Sequence, residues 1–549
     1  MADSRTGARA WTLALVVGLV GWTAVAAGLD NGHFGIFLDD GLYLCSARSL
    51  RDGRGFGLPS RPGEPPPKYP IGLPAAVALA LRLDPAPGPP SLAREVAIAR
   101  GLVMAGGWAF FLAAFAWLQR SGAGPGVACG IVLATAWHFA VLIGGADTLF
   151  ADLPFAGVTF VLLARWVGRG RATEAGGMRR AFVDGAIAGL AVLLRTNGVT
   201  LAFAALVAAA LAPRRKSGVL ACAAGLALAV IPATVYAGRH ARVVPSNSYR
   251  LELQAGWTSP SAGLAILARN ASSIGLDFPA RVLCSPATYL GPVVRATAAH
   301  PRAALAARAA LGLIVAAGLV GLARSSRRVD VPAWAHAAGT LAIFAAWPWT
   351  GIMDRFLLGL MPMVGLAFAR GLATAGRLVG LGAKGRRRLV AVGLALVVAG
   401  NVAVVLRAAT LFHAHRGQWP GAPDRASLER ALGLIRDRTE PDAVVAAAWP
   451  EMVHLHTGRM VVPLVEDEAV LLDRYGDAGR LGLWRGLVPG RPFYVLHRGE
   501  LEDPRGGDRL QLDAFAADSG ASIREVARTP DGRYRISAVE GGASPPRPR

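Results

Sequence analysis

Residues 38–44 read LDDGLYL and begin shortly after the first strongly apolar segment of the chain. The adjacent carboxylates Asp39 and Asp40 therefore stand where a chain leaving a bilayer first meets water. A helical pattern of apolar residues follows them and suits a helix that lies on a membrane surface. A Gly/Pro-rich run over 53–70 ends in the sequence KYP at 68–70. This order of features predicts an active site at a membrane surface: an acidic pair, then a surface helix, then a basic and aromatic segment that leads back to the membrane.

The composition indicates a polytopic membrane protein. Of 549 residues, 53% are hydrophobic and only 17% are charged, and the mean hydropathy is +0.41. In a soluble protein, the net charge of +22 would suggest a nucleic-acid partner. Here the arginines form short clusters between apolar segments, without basic repeats interleaved with aromatic residues, so the charge reports membrane topology and not nucleic-acid binding.

A membrane-spanning helix needs about 20 mostly apolar residues, and by this rule the sequence predicts about eleven spans. Their approximate bounds are 11–29, 97–118, 127–145, 153–168, 182–195, 197–212, 218–237, 305–323, 332–350, 356–375 and 389–407. The apolar stretch 71–83 is too short to cross. Pro74 and Arg82 within it favour a helix that lies in, or dips into, the outer interface.

Basic clusters in the short loops predict the orientation. They comprise Arg5 with Arg9 and the groups at 169–180, 214–216, 324–328 and 384–388. With alternating spans all five fall on one side, which the positive-inside rule makes the cytoplasmic side. The first span has no clear cleavage site well separated from it, which favours an uncleaved anchor. We therefore expect a multi-pass protein of the bacterial inner (plasma) membrane.

The pattern predicts two folded parts and a tail. Residues 1–407 form the transmembrane domain, with long outer loops over 30–96 and 238–304. Residues 408–539 mix Asp, Glu and Arg with frequent turns, and form a small α/β domain facing the periplasm or exterior. Within that domain we expect a helix over 427–438, strands near 443–448, 460–463 and 493–496, and a partly parallel sheet. Residues 540–549 read as a disordered tail.

Polar residues at the ends of apolar spans are costly and mark candidate function. The topology collects such residues at the outer face: Asp39, Asp40, Lys68, Tyr69, Asp147, Asp152, Arg195, Tyr249, Asp354 and Arg355. Carboxylates suit a general base that deprotonates an acceptor, which assigns a catalytic part to Asp39, Asp40 and Asp152. Cations suit the phosphate of a lipid-linked donor, which assigns donor binding to Lys68, Tyr69, Arg195 and Arg355.

Each of these residues also has a purely structural interpretation. Asp39 and Asp40 would cap the helix that follows them. Asp152 would do the same, because Pro154 stands just inside the next helix. Arg195 would snorkel to the interface. Arg355 would pair with the adjacent Asp354, and Lys68 and Tyr69 would be interface anchors.

No motif indicates a nucleotide, a dinucleotide cofactor or zinc. The sequence holds no Walker loop, Rossmann glycine fingerprint or zinc-ligand spacing. Two histidine pairs, His413 with His415 and His454 with His456, lack nearby carboxylates or cysteines at metal spacing, and we interpret them as surface residues. We expect no cofactor and assign no metal site, and dependence on a divalent metal is left open.

The chain resembles the bacterial membrane glycosyltransferases of the GT-C type, which include protein O-mannosyltransferase-like proteins, the lipid A aminoarabinose transferases and the Rgt-type lipopolysaccharide sugar transferases. The residues that carry the resemblance are Asp39-Asp40, Tyr43, Ala47-Arg48, Lys68-Tyr69-Pro70, Asp152-Leu153-Pro154-Phe155, Arg355-Phe356-Leu357-Leu358, Pro362, the run 439–445 and Thr457-Gly458-Arg459.

The resemblance implies a polyprenyl-phosphate sugar donor and an inverting displacement on the non-cytoplasmic face. Asp39 matches the catalytic acid of the pair, and Asp40 stands where Glu is common in relatives. The expected acceptor is a hydroxyl of a glycan, lipid or protein, and no nucleic acid is expected. The alternatives are a transporter or flippase of a lipid-linked glycan, which would place paired charges at mid-membrane, and a non-catalytic membrane assembly protein.

Overall fold

The computed structural model describes the residues in the following ranges, and all contacts given below join these residues. The ranges are 2–29, 34, 39–61, 67, 69–86, 90–146, 151–168, 177–212, 215–240, 256–286, 299–325, 330–348, 353–414, 424–464, 490–499, 512–513, 516–517 and 520–541.

Helices dominate the described part of the chain. In chain order they are α1 (Ala2–Gly28), α2 (Asp39–Arg51), α3 (Gly72–Arg82), α4 (Leu92–Arg120), α5 (Pro125–Ala136), α6 (Phe139–Ala146), α7 (Asp152–Gly168), α8 (Gly177–Leu194), α9 (Val199–Ala210), α10 (Arg215–His240), α11 (Pro260–Leu276), α12 (Phe278–Leu283), α13 (Pro301–Ser325), α14 (Val331–Ala346), α15 (Met353–Phe356), α16 (Met361–Leu378), α17 (Ala383–Ala414), α18 (Arg425–Arg438) and α19 (Pro450–Thr457). The strands are β1 (Val444–Ala447), β2 (Met460–Pro463), β3 (Phe493–Arg498), β4 (Ala521–Arg528) and β5 (Tyr534–Gly541).

The chain is a multi-pass membrane protein. Within the described residues, six helices are long and apolar enough to cross a bilayer: Arg9–Gly28, Leu92–Arg120, Lys216–Tyr236, Pro301–Arg324, Leu358–Leu378 and Ala383–Ala414. Shorter apolar helices include Pro125–Ala136, Thr196–Ala210 and Val331–Ala346. Within the described residues, each predicted span overlaps a helix, although 127–145 is divided between α5 and α6 and 332–350 extends beyond the end of α14. The number eleven stays a prediction.

The division of α5 from α6 follows from polar anchors. His138 is buried, and its Nε2 lies 3.0 Å from the carbonyl oxygen of Arg281. The backbone N–H of Phe139 donates to Ser285 Oγ at 2.9 Å. A backbone N–H freed from a helix in an apolar bundle needs another partner, and Ser285 supplies it.

Contacts group the chain into two compact units. The first, here called the helical unit, comprises Met1–Asp30, Arg100–Ala233 and Ser259–Ala414. The second, the mixed unit, comprises Asn31–Ala99, Thr234–Thr258 and His415–Arg549. The first long loop therefore belongs to the same unit as the C-terminal region, and the second long loop is divided between both units.

Backbone-to-backbone contact packs two helices of the helical unit. A Cβ atom added at Gly318 of α13 would lie 1.7 Å from the carbonyl oxygen of Ala367 in α16. A Cβ at Gly371 of α16 would lie 1.9 Å from the carbonyl oxygen of Ile314 in α13. Small residues that let backbones approach are typical of helix pairs in membranes, where van der Waals contact replaces the hydrophobic effect.

The mixed unit contains a five-stranded sheet in the order β2-β1-β3-β5-β4. Strand β1 pairs in parallel with β2 and β3, whereas β5 pairs antiparallel with β3 and β4. The expected small, partly parallel sheet is thus confirmed, with β1, β2 and β3 at the predicted places. Strands β4 and β5 were not predicted. They form a hairpin whose turn contains Asp531 and Gly532, and Gly532 adopts a φ of 70°.

Candidate active site

The acidic pair forms the first turn of α2. Asp39 and Asp40 are both buried, and Asp40 is fully inaccessible. The backbone N–H of Gly41 donates to Asp40 Oδ1 at 2.8 Å. A carboxylate in the first turn also interacts favourably with the helix dipole. Asp40 therefore accepts a hydrogen bond from the residue that follows it, whereas a helix cap would accept one from the N–H two or three positions further along.

Asp39 has a different partner, from the far end of the same loop. The hydroxyl of Tyr69 donates to Asp39 Oδ1. The ring of Tyr69 also packs against that of Tyr43 in α2, with centroids 5.4 Å apart. The structure thus brings together Asp39 and Tyr69, which the sequence had assigned separately to catalysis and to donor binding. Lys68 lies outside the described residues.

The C-terminal end of α2 is held by charged groups. Glu95 of α4 is buried, and its carboxylate lies 2.5 Å from Arg48 Nη2 and 2.8 Å from Arg51 Nη1. Arg82 of α3 donates to the carbonyl oxygens of Leu50 and Arg51, each at 2.8 Å. These carbonyls lack partners within the helix, and a cation at this end complements the dipole. Both ends of α2 are therefore fixed.

The loop after α2 is held by a close approach of its backbone. Gly55 has a φ of 92°, and a Cβ there would lie 2.3 Å from the hydroxyl oxygen of Tyr236. The next N–H, of Phe56, donates to the same hydroxyl at 2.7 Å. Only glycine suits this position, because the left-handed conformation and the lack of space both exclude a side chain.

In the helical unit, two of the predicted residues form a buried ion pair. Arg195 Nη1 lies 3.0 Å from Asp152 Oδ2, and both residues are buried. Arg195 is extended, in the break between α8 and α9. Three residues later the backbone passes so close to α8 that a Cβ atom at Gly198 would lie 2.5 Å from the backbone of Ala191. Arg195 therefore does not snorkel to solvent but pairs with a carboxylate.

The ring of Phe356 contacts both Arg195 and a second arginine, Arg355. The guanidinium carbon of Arg195 lies 4.6 Å from the centroid of the Phe356 ring, and that of Arg355 lies 4.7 Å from it. Phe344 of α14 stacks on Phe356 with an interplanar angle of 16°. Cations are attracted to the face of an aromatic ring. Two arginines that the sequence predicted from separate loops thus meet around one aromatic side chain.

Asn270 fixes the position of Phe344. Its side-chain amide donates to the carbonyl oxygens of Phe344, Ala345 and Trp347 at 3.2, 3.1 and 2.6 Å. It thereby caps the C-terminal end of α14.

The predicted outer-face residues also included Asp147, Tyr249 and Asp354. Asp147 and Tyr249 lie outside the described residues, as does the side chain of Asp354. Among the described residues, no group of three or more His, Cys, Asp and Glu side chains is arranged to hold a metal ion. Sequence reasoning missed Glu95, and it named Phe356 only within the motif Arg355-Phe356-Leu357-Leu358, without a role of its own. The signal for Glu95 was a lone carboxylate at the start of an apolar helix.

The fold is that of the GT-C-type membrane glycosyltransferases. The chain is similar to ArnT from Cupriavidus metallidurans bound to undecaprenyl phosphate, with 14% identity and a TM-score of 0.52 over 98% of this chain and 99% of that one. It is also similar to the Archaeoglobus fulgidus oligosaccharyltransferase tethered with an acceptor peptide, with 11% identity and a TM-score of 0.54 over 97% and 74% of the two chains.

A further similar structure is the archaeal oligosaccharyltransferase AglB from Archaeoglobus fulgidus in complex with an inhibitory peptide and a dolichol-phosphate. It has 14% identity and a TM-score of 0.52, over 96% of this chain and 74% of that one. No protein-family model matches the chain, and no curated protein sequence does so either. At these identities the likeness establishes the fold.

Proposed function

We propose that the protein is a membrane glycosyltransferase that moves a sugar from a polyprenyl-phosphate donor to a hydroxyl group of a glycan, lipid or protein. The observation that carries this proposal is the likeness, over nearly the full length of both chains, to ArnT bound to undecaprenyl phosphate. The positive-inside pattern supports an inner-membrane location with the reaction on the periplasmic or exterior face.

Asp39 acts as the catalytic carboxylate in this proposal. It accepts the proton of the acceptor hydroxyl while the acceptor oxygen attacks the anomeric carbon of the sugar. The bond from that carbon to the phosphate oxygen breaks, and polyprenyl phosphate leaves with the bonding electrons. The hydrogen bond from Tyr69 supports an orienting role for that residue. The bond from Gly41 supports a helix-stabilising role for Asp40.

Arg195 and Arg355, with Lys68, bind the donor phosphate in this proposal. Their convergence on Phe356 supports the assignment, because two guanidinium groups beside one ring suit a phosphodiester that carries one negative charge in the donor and gains a second as it leaves. Negative charge builds on the phosphate as it leaves, and fixed cations in a site that excludes water stabilise it. The ion pair supports a role for Asp152 in orienting Arg195.

The test is sugar transfer in membranes from a radiolabelled polyprenyl-phosphate donor pool, with Asp39→Asn compared with the wild type. This substitution keeps the size of the side chain and removes its charge. We expect transfer to fall by about 10²- to 10⁴-fold, the usual contribution of a general base.

Asp52→Asn is the matched control. Asp52 follows α2 in the same loop, and its ion pairs with Arg51 and Arg54 are partly exposed. We expect this variant to transfer sugar at close to the wild-type rate. Equal transfer by wild type and Asp39→Asn would show that the catalytic carboxylate lies elsewhere.

A further inference from the structure

A buried ion pair joins the first outer loop to the C-terminal part of the mixed unit. Arg61 Nε donates to Glu451 Oε1 at 2.8 Å. Glu451, in α19, is fully inaccessible, and Arg61 is 7% exposed. The two residues are 390 positions apart in the chain.

The residue before Arg61 makes a second contact with the same region. The backbone N–H of Val461 in β2 donates to the carbonyl oxygen of Ser60 at 2.7 Å. Strand β2 lies at the edge of the sheet, and an edge strand presents unpaired backbone groups that another segment can occupy. Two consecutive loop residues thus bind two consecutive elements, α19 and β2.

Glu451 also faces α2. Burial, and then the nearby Glu451 carboxylate, raise the pKa of the Cys45 thiol to about 12. Cys45 lies in α2, within two turns of Asp39, and it is fully buried. The Glu451 carboxylate of α19 therefore pairs with Arg61 in the loop after α2 and also lies near Cys45 in α2 itself.

A buried ion pair by itself adds little to the free energy of unfolding. Removing two charges from water is costly, and apolar residues of similar volume often serve as well or better. The best-attested use of such a pair is to fix one arrangement among alternatives, because breaking it leaves a charge buried without a partner. The arrangement that this pair fixes is the position of the loop that carries the acidic pair.

We propose that Arg61 and Glu451 are positioning residues, through which the C-terminal α/β region holds α2 so that Asp39 keeps its catalytic orientation. This inference rests on the proposed function. The C-terminal region is then a support for the catalytic loop. Misplacement of a catalytic group by about 1 Å costs on the order of 100-fold in rate.

The experiment compares Glu451→Gln, Arg61→Gln and the double variant in the membrane transfer assay. We expect kcat to fall by about 10- to 100-fold in either single variant, with the KM for the donor little changed. The double variant should be at least as active as either single one, because it leaves no buried charge unpaired. Glu429→Gln is the control, since Glu429 is an exposed carboxylate of α18 paired with Arg425.

A second measurement does not depend on activity. Maleimide labelling of Cys45, resolved by peptide mapping in a Cys284→Ser background that removes the exposed thiol, reports whether α2 stays in place. We expect Glu451→Gln to raise the labelling rate of Cys45 by about tenfold, on the order expected for one lost buried interaction. Cys129, buried in the helical unit, should label as in the wild type.

The outcomes are distinct. Unchanged labelling of Cys45 in Glu451→Gln overturns the positioning role, whether or not the wild type transfers sugar. Faster labelling of Cys129 as well as Cys45 shows general unfolding and also overturns it. Faster labelling of Cys45 with unchanged kcat shows a structural contact that does not reach Asp39. A wild type that transfers no sugar contradicts the proposed function, while the labelling result still decides whether the pair holds α2.

Discussion

The two units of this protein hold their charged groups in different ways. In the mixed unit, carboxylates are held by nearby donors: Asp39 by Tyr69, Glu95 by Arg48 and Arg51, and Glu451 by Arg61. In the helical unit, two arginines lie against Phe356, and one of them pairs with Asp152. The comparison contrasts carboxylates that are each fixed by a donor with two arginines that meet at one aromatic ring.

After the loss of the Asp39 carboxylate, the largest expected effect comes from removing a cation of the helical unit. In Arg195→Gln, transfer should fall on the order of 100-fold, because the leaving phosphate loses a fixed cation. The protein should also lose stability, by about 3–5 kcal/mol, because Asp152 stays buried without its partner. Initial rates at saturating donor and thermal unfolding measure the two effects.

Arg377→Gln is the matched control for this change. Arg377 is exposed near the end of α16 and donates to Thr374 one turn earlier. Its replacement should alter neither rate nor stability. Wild-type transfer by Arg195→Gln would mean that Arg195 does not bind the donor phosphate.

The next effect concerns the packing of α13 against α16 in the helical unit. Gly318→Ala should lower stability by about 1–3 kcal/mol, because the added methyl group forces α13 away from α16. Gly321→Ala, one turn further along α13, meets nothing within 4 Å and should be neutral or slightly stabilising. Thermal unfolding in detergent compares the pair. Equal stability of the two variants would contradict the close contact at Gly318.

A smaller effect should follow from Phe356→Leu. The substitution keeps an apolar side chain and removes the ring face that both guanidinium groups approach. Cation–π contacts contribute about 0.5–2 kcal/mol, so we expect the KM for the donor to rise about fivefold. Phe412→Leu is the control, since Phe412 packs elsewhere in the helical unit, on α17. A KM unchanged in Phe356→Leu would show that the ring does not organise the arginines.

The smallest effect is a dependence of the mixed unit on pH. The structure shows His454 and His456 half-buried, where the sequence predicted surface residues. Burial lowers the pKa of both below the ordinary value of 6.5. Their contribution to stability is therefore fully present above pH 6.5 and is lost as the pH falls towards the folded-state pKa, because the unfolded chain takes up the protons first.

We expect the midpoint of thermal unfolding, followed by the exposure of Cys45, to fall as the pH is lowered below 6.5. Replacing both histidines with glutamine should remove this fall. A midpoint that declines equally with and without the histidines would assign the effect to other groups.

The sequence predicted the helices well because a bilayer imposes one simple requirement. A span must be apolar over about 20 residues, and that requirement is readable locally. The buried strands β1, β2 and β3 were found for a similar reason, since each is a short apolar run. The hairpin of β4 and β5 was missed because charged side chains such as Arg524 and Glu525 occupy β4, and the turn at Asp531-Gly532 was its main local signal.

The candidate residues were predicted one at a time, but their pairing was not. The cost of a polar group beside an apolar span singled out Asp39, Tyr69, Asp152, Arg195 and Arg355. The helical or extended pattern around each residue says nothing about which distant side chain it will meet. Asp152 and Arg195 are 43 positions apart, and Glu451 is 390 from its partner.

The sequence by itself therefore determined the membrane class, the helical segments and the residue types from which a site can be built. Only the tertiary structure decided that Tyr69 donates to Asp39, that two arginines meet at Phe356, and that Glu451 binds the first outer loop. The physical reason is that hydropathy and local propensity act over a few neighbouring residues. Ion pairs and hydrogen bonds are instead selected by the packing of segments far apart in the chain.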